Sequence, residues 1–133
     1  MANQSGIDVV KEFFESFLSH APDKTLALLA DDIRWEVQGA PNVPTVGKFQ
    51  GKGDVRRWLE IFPKNFKPLA IRFDNFLEKD TNVVVLGSFT HLALVTNQEI
   101  SSEFAAHLIV RDGKIAGYRF FEDSYALYMV FPH

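Results

Sequence analysis

The 133-residue chain contains no cysteine. Disulfide bonds, thiolate catalysis and Cys-ligated zinc are therefore excluded. Histidine is scarce: His20, His91, His107 and His133 have no close spacing, so no metal site is expected and no cofactor is assigned. Positive charge is not in surplus either. The 14 Lys and Arg against 17 Asp and Glu leave a net charge of −3, which offers no general attraction to nucleic acid. The one basic pair, Arg56 and Arg57, sits beside Trp58 in a helical pattern and reads as a solvated helix face. No apolar run approaches the roughly 20 residues of a membrane helix. The N-terminus lacks the charged-then-apolar order of a signal peptide, so a cytoplasmic protein without membrane association is the default expectation. Repeats, low-complexity tracts and linkers are lacking too, which predicts one domain over residues 1–133.

What the chain has is aromatic and aliphatic side chains: 13 Phe, with 47% of residues hydrophobic. Ser5-Gly6-Ile7-Asp8 resembles a capping box, and Ile7, Val10, Phe14, Phe17 and Leu18 recur at helical spacing, which predicts a helix from about Gly6 to Ser19. Pro22 suits the first turn of a second, short helix ending near Ala30, with Leu26 and Leu29 buried. "DIRWEV" alternates as a strand, with Trp35 and Val37 on one face and Arg34 and Glu36 on the other. The loop "GAPNVPTVGKFQGKG" leaves room for a short strand at Lys48 to Gln50. Val55, Trp58, Leu59 and Phe62 mark a third helix that stops near Pro63.

From Lys67 onward the pattern is four strands with short turns, ending in "KIAGYRFFED". Helices first and antiparallel strands afterwards predict an α+β fold, with three N-terminal-half helices on one face of a curved sheet. Val83 to Leu86 and Leu92 to Val95 are apolar on both faces. The helices can cover only one face, so a homodimer through the outer face of the sheet is expected.

"VRDGK" predicts a three-residue hairpin loop with Gly113 left-handed, so that Val110 pairs with Lys114, Ala106 with Tyr118 and Phe104 with Phe120. Those four last-named residues then share one face, and His107, Arg119, Phe121 and Asp123 the other. A two-residue loop would shift the register by one and exchange the partners.

The order of elements resembles a known family. "LADDIRWEV", "VGKFQGKGDVRRWL" and "HLIVRDGKI" followed by a closing "ED" are similar to the nuclear-transport-factor-2-like superfamily, and within it to the SnoaL-like polyketide cyclase and ketosteroid isomerase group. The resemblance covers nearly the whole chain. It implies a cone-shaped, mostly antiparallel sheet wrapped around the helices (the cystatin-like or ketosteroid isomerase-like fold), open at one end into an apolar pocket. Ketosteroid isomerases carry a base on the first strand, an oxyanion-hole tyrosine on the first helix and a protonated aspartate as second donor, a carboxylic acid kept neutral by its apolar site. Aligned here, those positions are Val37, Phe13 and Ala106. The acid that polyketide cyclases carry seven residues after the turn glycine falls on Phe120. Val, Phe and Ala cannot shuttle a proton, so the family's usual chemistry is not expected. By this count the acids of "FFED" come too late to be catalytic. Asp123 matches a strand-end aspartate of the group, structural or at the pocket rim.

The remaining polar candidates are His91 and Tyr118. If Asn97 and Gln98 form a two-residue turn, His91 pairs with Phe104 and faces the pocket as an acid or base. The alternative is a core or dimer-seam histidine. Tyr118 would orient a ligand carbonyl, or bond to backbone. His107 and Asp123 lie too far apart along the strands to be a dyad. Phe13, Phe17, Trp35, Trp58 and Phe62 are expected to line the pocket from the helices and first strand. Val37, Phe104, Ala106 and Phe120 join them from the sheet. The same side chains could equally fill the core. The sequence thus supports three functions: a binding protein for an apolar, cyclic small molecule; an isomerase, dehydratase or hydrolase using His91 with Tyr118; or an interaction domain with no pocket.

Overall fold

The computed structural model describes residues 5–133. The chain runs α1 (Gly6–Leu18), α2 (Pro22–Ala27), β1 (Leu29–Val37), β2 (Gly47–Gln50), α3 (Gly51–Asn65), β3 (Phe66–Lys79), β4 (Asn82–Ala93), β5 (Gln98–Arg111), β6 (Lys114–Glu122) and α4 (Ser124–Val130). One sheet of six strands has the order β2-β1-β6-β5-β4-β3. Every neighbouring pair is antiparallel except β1 and β6, which are parallel. This is the α+β architecture that the element order predicts.

Local chemistry starts the helices where expected. The Ser5 hydroxyl accepts from the Asp8 backbone N–H at 3.1 Å and caps α1. The α1 side chains Val9, Val10, Phe13 and Phe14 are buried, as are Val55, Trp58 and Phe62 of α3. These apolar stripes meet the inner face of the sheet, where Val83, Val85, Ala106 and Leu108 are fully buried. Gly87 makes one close approach possible. A Cβ there would lie 2.1 Å from the Arg72 carbonyl oxygen and 2.8 Å from the Phe104 ring.

Several boundaries differ from expectation. The second helix ends at Ala27 rather than near Ala30, and Leu29 is buried as the first residue of β1. The third helix does not stop at Pro63. Pro63 sits within its last turn, and the Asn65 side chain donates to the Ile61 carbonyl at 2.9 Å. A fourth helix, α4, follows the last strand and was not foreseen. The Asp123 carboxylate caps it by accepting from the Ala126 N–H at 3.1 Å. Asn42 and Thr96 donate to its last carbonyls, Tyr128 and Val130, at 3.1 and 2.7 Å.

The most consequential correction is the β5–β6 register. Arg111 pairs with Lys114, so the loop is the two residues Asp112 and Gly113, not three. Both have positive φ, 53° and 76°, as a type I′ hairpin requires. Ile109 then pairs with Gly117 and Val110 with Ile115, which leaves Ala116 as an extra, bulged residue. Ala106 therefore pairs with Phe120, not Tyr118, and Phe104 with Glu122, not Phe120. The tight loop and the bulge each displace the register by one. Together they restore the expected faces while moving every partner by two. The β4–β5 loop spans Leu94 to Asn97, so His91 pairs with Ile100 rather than Phe104. That displacement is also even, and His91 keeps its inward face.

Candidate functional site

Between α1, α3 and the inner face of the sheet lies a cavity of about 50 Å³. Phe14 and Phe17 line it from α1, and Trp58 and Phe62 from α3. The sheet contributes Val37, Ile71, Phe89 and Phe120. The rings pack edge and face against each other: Phe17 lies 5.1 Å from Phe62 and Trp58 lies 5.5 Å from Phe62, centroid to centroid. Phe17, Leu18 and Phe62 also line an outer cleft of about 230 Å³ that opens beside His20, Pro22 and Pro68. These three side chains stand between the cavity and the surface.

Of the positions expected in the pocket, Phe17, Val37, Trp58, Phe62, His91, Tyr118 and Phe120 line it. Phe13, Trp35, Phe104 and Ala106 do not; each is at most 4% exposed and packs behind the lining as core. Phe14, Phe66, Ile71 and Phe89 were not foreseen there. The signal for Phe66, Ile71 and Phe89 was apolar alternation on β3 and β4, and for Phe14 the helical repeat of α1; each marks an inner face without saying what lies against it.

His91 is 9% exposed. Its ring stacks on Phe89 at 4.2 Å and meets the Phe62 edge at 5.6 Å. Its Nδ1 is buried without a hydrogen-bond partner. Burial lowers its pKa from the ordinary 6.5 to about 4, with the Thr90 backbone opposing weakly, so the imidazole is neutral at physiological pH. Tyr118 stacks on Trp35 at 3.9 Å. Burial holds its hydroxyl well above the usual tyrosine range, and the nearby Glu122 charge adds to this. Tyr118 can therefore donate a hydrogen bond but cannot shuttle a proton near neutral pH.

The unforeseen polar group is Glu122. It lies opposite Phe104 on the inner face and lines the cavity. The acids of "FFED" were expected to come too late for the family's catalytic position, yet Glu122 lines the cavity on the same face as Tyr118 and Phe120. Burial pushes its carboxyl from 4.5 up to about 8. Asp123 turns away and caps α4, while its backbone N–H donates to the Ser102 hydroxyl at 2.9 Å. That gives Asp123 a structural role.

The other polar candidates lie elsewhere. His107 pairs with the Asn82 side chain at 2.8 Å and not with Asp123. Glu36 faces Arg119 at 3.6 Å on the outer side of the sheet. Among the described residues, no three His, Asp or Glu side chains gather as a metal site. No helix among them is long and apolar enough to cross a membrane.

A family model described as a SnoaL-like domain matches residues 10–118. No curated protein matches the chain. Solved structures do. A nuclear-transport-factor-2-like protein from Burkholderia xenovorans has 23% identity, 99% of each chain covered and a TM-score of 0.89. TerC co-crystallised with polyporic acid has 18% identity, 94% and 96% coverage of this chain and that one, and a TM-score of 0.84. A protein of ketosteroid isomerase-like fold from Catenulispora acidiphila, in complex with trimethylamine, has 10% identity, 93% and 92% coverage and a TM-score of 0.78. At these identities the likeness is one of fold.

Proposed function

This chain belongs to the SnoaL-like domain family, and from that premise we propose that it is a small-molecule-binding protein whose ligand sits between α1, α3 and the inner face of the sheet. The observation that carries this reading is the lining itself: apolar and aromatic walls with few polar groups, the usual form of a small-molecule site. Neighbours of the same fold crystallised with polyporic acid and with trimethylamine support it. The positions that serve isomerases and cyclases, Val37, Phe13, Ala106 and Phe120, carry no acid here. The cavity is far below the roughly 300 Å³ at which drug-sized sites begin, so a ligand is either small or displaces Phe17 and Phe62.

The protein acts as a homodimer in this reading. Leu86, Ala105 and Phe121 form one row across the outer face of the sheet, and Leu77 lies near them. Leu77 is 54% exposed, and Leu86 and Phe121 are 37% and 36% exposed, an apolar surface that a second copy would cover.

A native mass spectrum of the gently purified protein tests both claims. A dimer carrying a small extra mass is the expected result. A bare monomer would overturn both. Replacing Phe120 by Trp fills the cavity and should eject the extra mass while leaving the dimer intact.

One observation favours a second reading, an enzyme acting on an apolar cyclic substrate. The Nδ1 of His91 is buried in the cavity without a partner, free to take a proton while Tyr118 donates a hydrogen bond. Turnover of such a substrate, abolished in His91→Ala and reduced in Tyr118→Phe, would establish it; equal turnover in His91→Ala would refute it.

A further inference from the structure

We propose that the cavity is a cage for a small methylated ammonium ion, with Glu122 as its counter-ion. The proposal rests on the small-molecule reading above and narrows it to one chemical class.

A cation is drawn to the faces of aromatic rings, and most strongly where water is excluded. The cavity offers such rings from two sides. Phe17, Trp58 and Phe62 project from the helices with centroids 5.1 to 5.8 Å apart. Phe89 and Phe120 face them from the sheet, 6.3 Å apart. Glu122 is the one acid in the lining, and no Lys or Arg lines it. The cation nearest in sequence, Arg119, points to the other side of the sheet and faces Glu36. A carboxyl set among aromatic rings without a cation is costly unless it keeps its proton or meets a positive charge from outside. The neutral His91 does not repel such a charge.

Size and hydrogen bonding narrow the class. About 50 Å³ suits a centre of a few heavy atoms and not a fused ring system. A primary ammonium brings three N–H donors that each need an acceptor. The lining offers Glu122, His91 and the hydroxyls of Thr45 and Tyr118 against ten apolar side chains, so methyl groups on nitrogen match most of the wall better than N–H donors do. Charge balances simply. One cation enters, the Glu122 O–H bond breaks, and one proton leaves to solvent. The carboxylate and the ammonium then neutralise each other inside the cage. Because the carboxyl holds its proton up to about pH 8, binding competes with protonation below that pH.

Choline and its uncharged carbon isostere, in which a tert-butyl group replaces trimethylammonium, are the probes. Titration calorimetry in two buffers of different ionisation enthalpy reads affinity and proton release together. The expected result is that choline binds at least about tenfold tighter than the isostere, gains about tenfold per pH unit below pH 8, and releases close to one proton. Glu122→Gln should lose that preference and keep the isostere. The proton release is measured on the unaltered protein and does not depend on the variant folding. If the isostere binds as tightly as choline with no proton released, the cation class falls while a small-molecule site stands. If neither binds and the native mass spectrum shows no retained mass, the proposal and the small-molecule reading fall together.

Discussion

On the outer face of the sheet, acids meet arginines: Asp32 lies 2.7 Å from Arg111, Asp74 lies 2.7 Å from Arg72, and Glu36 faces Arg119. The Arg111 hydrogen bond holds the Asp32 carboxyl below the usual range. On the inner face, Glu122 has rings for neighbours and is pushed up to about 8. The two faces are one pleat apart, and the same functional group is ionised on one and protonated on the other. Solvent and a guanidinium stabilise the carboxylate outside; desolvation penalises it inside. Glu122 and Asp123 show the contrast between adjacent residues, one in the cavity and one capping α4. What a side chain does here is decided less by its identity than by the parity of its position along the strand.

The largest test of that contrast removes an aromatic from each side. Trp35 is 1% exposed and stacked on Tyr118, so Trp35→Ala should cost about 3–5 kcal/mol in urea denaturation. Phe121→Ala, on the outer face, should cost the folded chain under about 1 kcal/mol, yet raise the dissociation constant of the proposed dimer in analytical ultracentrifugation. Comparable losses of folding stability in both would erase the difference between the faces.

Next comes pH. The unfolded chain ionises Glu122 near 4.5 and the folded chain near 8, so stability from this group is full below pH 4.5 and is lost as pH rises to about 8. His91 runs the other way: its contribution is full above pH 6.5 and lost as pH falls to about 4. These effects are on the order of 5 kcal/mol for Glu122 and 3 kcal/mol for His91. Thermal melts should therefore peak between the two limits. Glu122→Gln should remove the alkaline limb alone, and a limb that survives the substitution would place the proton elsewhere.

Smaller effects sharpen the picture. Gly87→Ala forces a methyl group against the Arg72 carbonyl and the Phe104 ring behind the cavity, which should cost about 1–3 kcal/mol. Asp123→Ala removes only the α4 cap, about 1 kcal/mol, and should leave ligand binding unchanged. Loss of binding in Asp123→Ala would mean that both acids serve the cavity.

The fold was legible because it depends on periodicity. Val10, Phe14 and Phe17 repeat as a helix, and the strands alternate, whatever the exact partners are. Face assignments survived two register errors because both were even, by two residues for β6 and by four for His91. The site was less legible. The bulge at Ala116 leaves no motif of its own, so counting seven residues from Gly113 stops at Phe120, two residues short of Glu122. Phe104 and Ala106 face inward as expected, but whether an inward side chain touches space or another side chain depends on packing in three dimensions. Helix α4 is only seven residues long, too short for its period to stand out, though the Asp-Ser start before an apolar run was there to be read.

The bulged Ala116 has a consequence for how such a pocket changes over generations. Loss of that single codon would make the ladder regular and leave the partners beyond it in place, Gly117 on Ile109 and Glu122 on Phe104. A codon lost further on, between Tyr118 and Phe121, would instead turn the residues that follow to the other face and take Glu122 out of the cavity. Point mutation explores the chemistry of this lining one position at a time; the bulge is a spare residue through which the hairpin can change length without changing which side chains face inward.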